Sequence, residues 1–385
     1  MSSDAISPAN WTWLRQNMPV HRRWAYFDHA AVAPLPQPAR AALQTWLDEA
    51  AEEGDTVWPR WARQVEQVRE EAAWLLGVDQ DEIALVRNTT EGINLVAEGF
   101  PWQPGDNVVY AANDFPSNRF AWVNLQSRGV EPRPVASLGG YVDPAEVAAA
   151  CDDRTRIVAV SWVDYLTGRR NDVAALAEIA HARGGYLFLD MIQGLGVLPL
   201  DVRGWGVDFA SSDGHKWLLG PEGAGIAYIR RDLLPLLRPL GLGWNSAARS
   251  ADFTQTEMRL KETAARYEGG TFPVATFIGL AASLQMLRQL GGPAAIEPRL
   301  VDVVTETRQR VRKAGGQLIG LPPGEQVESG IVLFDLPGHS ATEVRQRLLA
   351  AGVVSSARGG HVRLSPHAYC NEEDLDRLTA ALKGV

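Results

Sequence analysis

Four short apolar runs set the frame for this chain: Ile83 to Val86, Asn107 to Tyr110, Ile157 to Val160 and Tyr186 to Leu189, each bounded by turn-forming residues. Runs of that length without polar alternation read as strands buried on both faces. Amphipathic segments accompany them. Arg60 to Leu76 spaces Trp61, Val65, Val68, Ala72 and Leu75 three or four apart, and Asn171 to Arg183 carries Val173, Leu176, Ile179 and Ala180. Both predict helices. Strands alternating with helices imply an α/β domain with a mostly parallel sheet. Such sheets bind ligands beyond the carboxyl ends of their strands, so the residues just after each run are the first candidates for a site.

The pattern changes near Phe277. Two helical segments, Ile278 to Leu290 and Ile296 to Ala314, precede short strands at Ile331 to Phe334 and His361 to Leu364, with helices at Ala341 to Ala351 and Glu372 to Lys383. This predicts a large domain over residues 26–275 and a smaller α+β domain over residues 276–385, with residues 1–25 packing against the small one; 385 residues suffice for both cores. Nucleotide folds are disfavoured. No Gly-Lys dipeptide occurs, so there is no P-loop, and Gly194-Leu195-Gly196 and Gly241-Leu242-Gly243 lack the third glycine of a dinucleotide fingerprint and read as turns.

A formal net charge of −9 leaves no footprint for nucleic acid or an anionic membrane, though a local cationic pocket remains compatible with it. Cys151 and Cys370 form neither a metal pair nor a disulfide framework, and the seven histidines show no zinc-type spacing. The N-terminal residues lack an apolar signal core, and Tyr186 to Leu200 is interrupted by Asp190 and Gln193, so it does not span a membrane. A cytoplasmic protein is expected.

Of 37 basic residues only four are lysine, which makes each of them worth examining. Lys261, Lys313 and Lys383 sit among charged neighbours, as surface lysines do; Lys216 lies in Asp213-Gly214-His215-Lys216-Trp217-Leu218-Leu219-Gly220-Pro221. A lone lysine in such a stretch suits a Schiff base with pyridoxal 5′-phosphate (PLP), and the other parts of a PLP site can be sought separately. Asp190 closes the run Tyr186 to Leu189, at the ligand-binding edge, where a carboxylate keeps a pyridine nitrogen protonated; it also suits a cap on the next turn. Gln193 can reach the ring's phenolic oxygen. Arg87-Asn88-Thr89-Thr90-Glu91 follows a strand and opens a helix, which suits a phosphate or equally a plain N-cap. Phe115, in Asn113-Asp114-Phe115-Pro116, offers a stacking face or a core side chain. Arg363, between Val362 and Leu364, offers a bidentate fork for a substrate carboxylate.

Together these pieces resemble the class V aminotransferase family, fold-type I PLP enzymes that include cysteine desulfurases, isopenicillin-N epimerase and kynureninase. The resemblance runs from Tyr26-Phe27-Asp28-His29-Ala30-Ala31 to Arg363-Leu364-Ser365-Pro366-His367-Ala368-Tyr369, and Gly214-His215-Lys216-Trp217 looks like the family's cofactor-lysine signature, with Asp190 lying 26 residues before the lysine. It implies a fold-type I PLP-transferase architecture. It also implies that Thr89, Thr90 and His215 hold the phosphate, and that Phe115 stacks where desulfurases have histidine. Arg266-Tyr267-Glu268-Gly269-Gly270-Thr271 resembles the segment through which a second subunit brings a Gly-Thr pair, here Gly270 and Thr271, to the phosphate. A homodimer with shared active sites follows.

Two departures stand out. Asp213 occupies a position that is often serine in desulfurases and contacts phosphate; either it points away or a neighbour such as Ser212 substitutes. Desulfurases also carry a nucleophilic cysteine on a loop before the arginine, whereas Val354 to Val362 here has none. The expected activity is therefore β-elimination at a Cβ–S bond of a cysteine-like amino acid. Alternatives are transamination and amino-acid epimerisation, and more remotely a non-catalytic PLP-binding protein or a nucleotide-binding oxidoreductase.

Overall fold

The computed structural model describes residues 8–384, with side chains from residue 10; of the expected N-terminal segment, residues 1–7 lie outside the described residues. Seven strands form the large sheet, in the spatial order Ile83–Val86, Gly225–Ile229, Phe209–Asp213, Tyr186–Asp190, Thr155–Ser161, Asn107–Ala111, Glu131–Val135. Gly225–Ile229 runs antiparallel to both neighbours; the other pairs are parallel. Period two sends alternate residues to opposite faces. Leu85, Val109, Val158 and Leu187 enter one core, and Ala84, Val108, Ile157 and Phe188 the other. Both cores are apolar, which is why these strands lack polar alternation.

The helices Gln37–Glu52, Trp58–Leu76 and Val274–Gln289 pack together and contribute to the first core. Thr89–Gly99 and Ser117–Val123 cover the second through Val96 and Trp122. Val274–Gln289 begins at the boundary expected near residue 275, yet it packs on the two helices of the large unit rather than on the small sheet. This is the α/β arrangement around a mostly parallel sheet that the sequence predicts.

A second, antiparallel sheet has the order Gln317–Ile319, Val332–Asp335, His361–Leu364, Ser356–Arg358. The N-terminal segment is tied to this part of the chain. Ala25–Tyr26 pairs in parallel with Val353–Val354, Asp28 bridges to Ser365, and Arg15 is ion-paired with Asp374. Among the described residues no helix is long and apolar enough to cross a membrane.

A buried aromatic cluster joins these parts. His29 is hydrogen-bonded to Ser365 O and Tyr369 Oη, both at 3.0 Å. His367 stacks on Trp217 and Tyr369, and neither of its ring nitrogens has a hydrogen-bond partner among the described residues. Burial holds both imidazoles neutral: it lowers His29 from 6.5 to about 4 and His367 well below 6.5. A group neutral when folded but ordinary when unfolded leaves stability intact above its unfolded pKa of 6.5 and removes it as the pH falls toward the folded value. His367→Phe should remove one such group without losing a hydrogen bond. In urea unfolding, the variant should gain stability on the wild type as the pH falls from 8 to 5. A difference that does not change with pH would exclude this role.

Candidate active site

Lys216 sits on a loop whose backbone closes on itself. Gly214 N–H donates to Ala224 O and Gly220 N–H to Gly214 O, each at 2.8 Å, while Leu219 N–H donates to Lys216 O at 3.1 Å. Leu219 takes a left-handed φ of 58° although it is fully buried. Non-glycine residues rarely adopt that conformation, and here its carbonyl accepts from Ser283 Oγ at 2.8 Å. The glycines flanking the lysine are required by packing. A Cβ on Gly214 or Gly220 would stand 2.8 or 2.6 Å from Leu280 Cδ1 of the helix Val274–Gln289. The sequence Gly214-His215-Lys216-Trp217 thus fits a tight turn pressed against a helix, with the lysine at the wall of a cavity.

That cavity has a volume of about 210 Å³ and lies at the carboxyl edge of the parallel strands. Thr89, Thr90, Phe115 and Asp190 line it, as do Gln193, His215, Lys216 and Arg363. Gly270 and Thr271 do not. They line a separate cavity of about 790 Å³ that shares Asn88 and Thr90 with the first.

Lys216 Nζ stands 5.7 Å from the centroid of the Phe115 ring, over its face. Burial pushes the amine down, against the pull of Asp190, and pushes the Asp190 carboxyl up, with Asp114 adding to the rise and Lys216 opposing it. Asp190 also accepts from Ile192 N–H at 3.0 Å. The Gln193 amide is fixed at both ends, donating to Ala30 O at 3.1 Å and accepting from Trp217 Nε1 at 3.0 Å. Thr89 opens the helix Thr89–Gly99, and its hydroxyl accepts from Asp213 N–H at 2.9 Å. Thr90 shares a hydrogen bond with Ser117 Oγ at 2.8 Å. Arg363 is buried. Its Nη1 donates to Tyr165 O at 2.6 Å and its Nη2 lies 3.6 Å from Asp28 Oδ1.

Asp213 is buried beside His215. It is among the residues at the cavity, with Oδ2 3.0 Å from His215 Nδ1, outside hydrogen-bond geometry, and Oδ1 buried without a partner among the described residues. Ser212 does not take its place, since its hydroxyl donates to Asp213 O at 3.1 Å and it does not line the cavity. Lys261 also departs from expectation. It is half-buried and donates to Asn245 Oδ1 at 3.1 Å, with burial lowering its pKa, so it is no ordinary surface lysine.

Several residues at the site carry no sequence signal of their own. Asp114 is fully engaged: Oδ1 accepts from Phe115 N–H and Ser161 Oγ at 2.6 Å each, and Oδ2 from Ser161 N–H at 2.9 Å and Asn118 Nδ2 at 3.0 Å. Ser161 is in register with Asp190. One carboxylate therefore ties the Phe115 loop to the strand end beside Asp190. Tyr165, whose ring meets Phe115 edge-on with centroids 5.5 Å apart, and Arg358 complete the wall. Among the described residues no cluster could hold a metal ion.

A model of the family described as aminotransferase class-V matches residues 25–378. The chain belongs to the class-V aminotransferase family. It is 32% identical over 395 residues to a probable cysteine desulfurase of Methanothermobacter thermautotrophicus, covering 97% of each chain. Among solved structures it resembles the apo cysteine desulfurase of Thermococcus onnurineus, with a TM-score of 0.87 and 24% identity over 100% of this chain and 99% of that one. It also resembles a cystine C–S lyase in complex with its product cysteine persulfide, with a TM-score of 0.88 and 22% identity over 95% and 99% of the two chains. At those identities the structures speak for the fold.

The chain is a PLP-dependent enzyme of this family, and the cavity's donor set fits the cofactor. A primary amine, a flat aromatic face, a buried carboxylate and two hydroxyls at a helix N-terminus answer to an aldehyde, a ring, a pyridinium and a phosphate respectively. The buried Asp213 is the one element set against a phosphate. Borohydride reduction followed by peptide mapping should place the pyridoxyl group on Lys216, and Lys216→Ala should lose the visible band of a lysine imine. A label on Lys261, Lys313 or Lys383 would falsify the assignment.

Proposed function

We propose that the protein is a Cβ–S lyase that eliminates sulfur from a cysteine-like amino acid. The supporting observation is the hairpin before Arg363. Arg358 and His361 are paired across a two-residue turn, Gly359-Gly360, with φ of 59° and 88°. Two successive positive φ values make the tightest hairpin connection, and glycine at both positions allows it. No room remains there for a loop carrying a nucleophilic cysteine. Cys151 and Cys370 are both buried and neither lines the cavity; burial pushes the Cys370 thiol up to about 12 and raises Cys151 as well. Neither is a ready thiolate.

PLP bound at Lys216 would supply an electron sink at the substrate Cα. Around it the chain's residues act by position. Arg363 takes the substrate carboxylate, and its anchorage on Tyr165 O and Asp28 fixes the fork. Asp190 would hold a proton on the pyridine nitrogen, and Phe115 would offer its face to the ring. Thr89, Thr90 and His215 would hold the phosphate, and Gln193 would serve the phenolic oxygen. Lys216, its amine destabilised as a cation by burial, would take the Cα proton of the substrate. Elimination would form the Cα–Cβ double bond from the Cα electron pair and break the Cβ–S bond, the sulfur leaving with its pair. Water completes the balance: a cysteine thioether gives a thiol, pyruvate and ammonia. We further propose a cytoplasmic homodimer. In it, the Gly270–Thr271 segment of a second copy reaches the phosphate, since this segment is exposed and absent from the Lys216 cavity of its own chain.

Asp190→Ala should reduce turnover on the order of a thousandfold while retaining most of the bound cofactor, because a transition-state contact worth several kcal/mol is lost but the phosphate contacts remain. Near-normal turnover in a folded variant excludes the role. Product analysis tests the reaction itself. A Cys151→Ser, Cys370→Ser double variant should keep wild-type activity on cysteine derivatives and release pyruvate and ammonia. Alanine as product, with sulfur trapped on a cysteine, would instead mark a desulfurase. A keto acid that retains the substrate's side chain, formed with loss of the visible band, would mark an aminotransferase, and the opposite enantiomer alone an epimerase.

A further inference from the structure

Two guanidinium groups line the Lys216 cavity, and an amino-acid carboxylate occupies only one fork. Arg358 and Arg363 belong to adjacent antiparallel strands, with Ser356 opposite Arg363 and Arg358 opposite His361. Directly opposed residues share a face, and so do residues two apart. Ser356, Arg358, His361 and Arg363 therefore form one face of the hairpin. The basic side chains on that face differ in their surroundings. Arg363 is buried and faces Asp28, which also accepts from Ser356 Oγ at 2.9 Å. His361 is occupied by Asp335, 2.7 Å from its Nδ1. Arg358 is exposed at the cavity and makes no hydrogen bond or ion pair among the described residues, although its charge bears on Asp28, Lys216 and Arg363. The Gly359-Gly360 turn fixes its backbone next to that of Arg363.

We propose that Arg358 is the anchor for a second anionic group on the substrate, carried beyond Cβ, so that the enzyme selects cysteine derivatives whose sulfur substituent is itself negatively charged. This rests on the lyase reading above and names its substrate class. The α-carboxylate is met by the buried, carboxylate-compensated Arg363, and the distal anion by the uncompensated Arg358 at the exposed end. An isolated guanidinium at a water-accessible rim contributes little to folding, whereas over a closed substrate it discriminates charge.

The test uses the holoenzyme and two thioethers that differ in charge but hardly in shape, S-carboxymethyl-L-cysteine and its amide, S-carbamoylmethyl-L-cysteine. Binding is read from the change in the cofactor's visible absorbance, and cleavage from pyruvate. The wild type should bind the acid at least about tenfold more tightly than the amide. Arg358→Gln should bring that ratio close to one, and Arg358→Lys should restore part of it. Arg363→Gln should weaken both compounds and leave the ratio in place. An unchanged ratio in Arg358→Gln, equal binding of the two by wild type, or binding of neither overturns the anchor. If the charge-dependent binding appears but no pyruvate forms, the lyase reading fails and the anchor stands.

Discussion

The register of three neighbouring strands governs this active site. Ser161 pairs with Asp190, and Asp190 with Ser211, inside a parallel ladder buried on both sides. Because side chains alternate with period two, a slip of one residue would turn Asp190 to the opposite face and carry it off the cavity. The apolar residues behind it, Leu187, Phe188 and Leu189, are fully buried and admit no such slip. Asp114 extends this constraint outward, since its bonds to Ser161 and to Phe115 N–H make the position of the aromatic ring follow from the same register. The acid and the ring are thus placed by hydrogen bonds within one sheet edge, and the lysine by a loop closed against a helix.

Charge at the site is balanced in pairs, each with a local reason. Lys216 and Asp190 moderate each other's burial, and Arg363 leans on Asp28. Two elements remain outside this pairing: the Asp213 Oδ1 atom, buried without a partner among the described residues, and the Arg358 guanidinium at the cavity.

Much of this was legible in the sequence where a residue's role follows from local pattern. The strands at 83–86, 107–111, 155–161 and 186–190 announce themselves as apolar runs because both faces are buried, and Lys216 by its isolation among arginines. Other elements are hidden for physical reasons. Phe209–Asp213 is fully buried yet reads as Phe-Ala-Ser-Ser-Asp, because Ser211 and Ser212 satisfy their hydroxyls on backbone carbonyls. Glu131–Val135 holds two prolines, which an edge strand tolerates and a central one does not. Arg358 and Tyr165 enter the cavity only through tertiary placement, and one arginine among many carries no mark. Val274–Gln289 reads as the start of a new unit, but its apolar surface is spent on Trp58–Leu76 and on the lysine loop.

The Gly359-Gly360 turn has a consequence for how such enzymes diverge. It lies between two paired strands, so residues can be added or removed there while the ladder on either side is kept. On the lyase reading, the reacting sulfur meets a bare hairpin and departs; a longer connection bearing a thiol at the same point would intercept it. Loop length at one hairpin would then act as a selector between releasing sulfur and carrying it, with the cofactor seat untouched. On that reading, insertion at the two glycines of this turn offers a short mutational path between two chemistries.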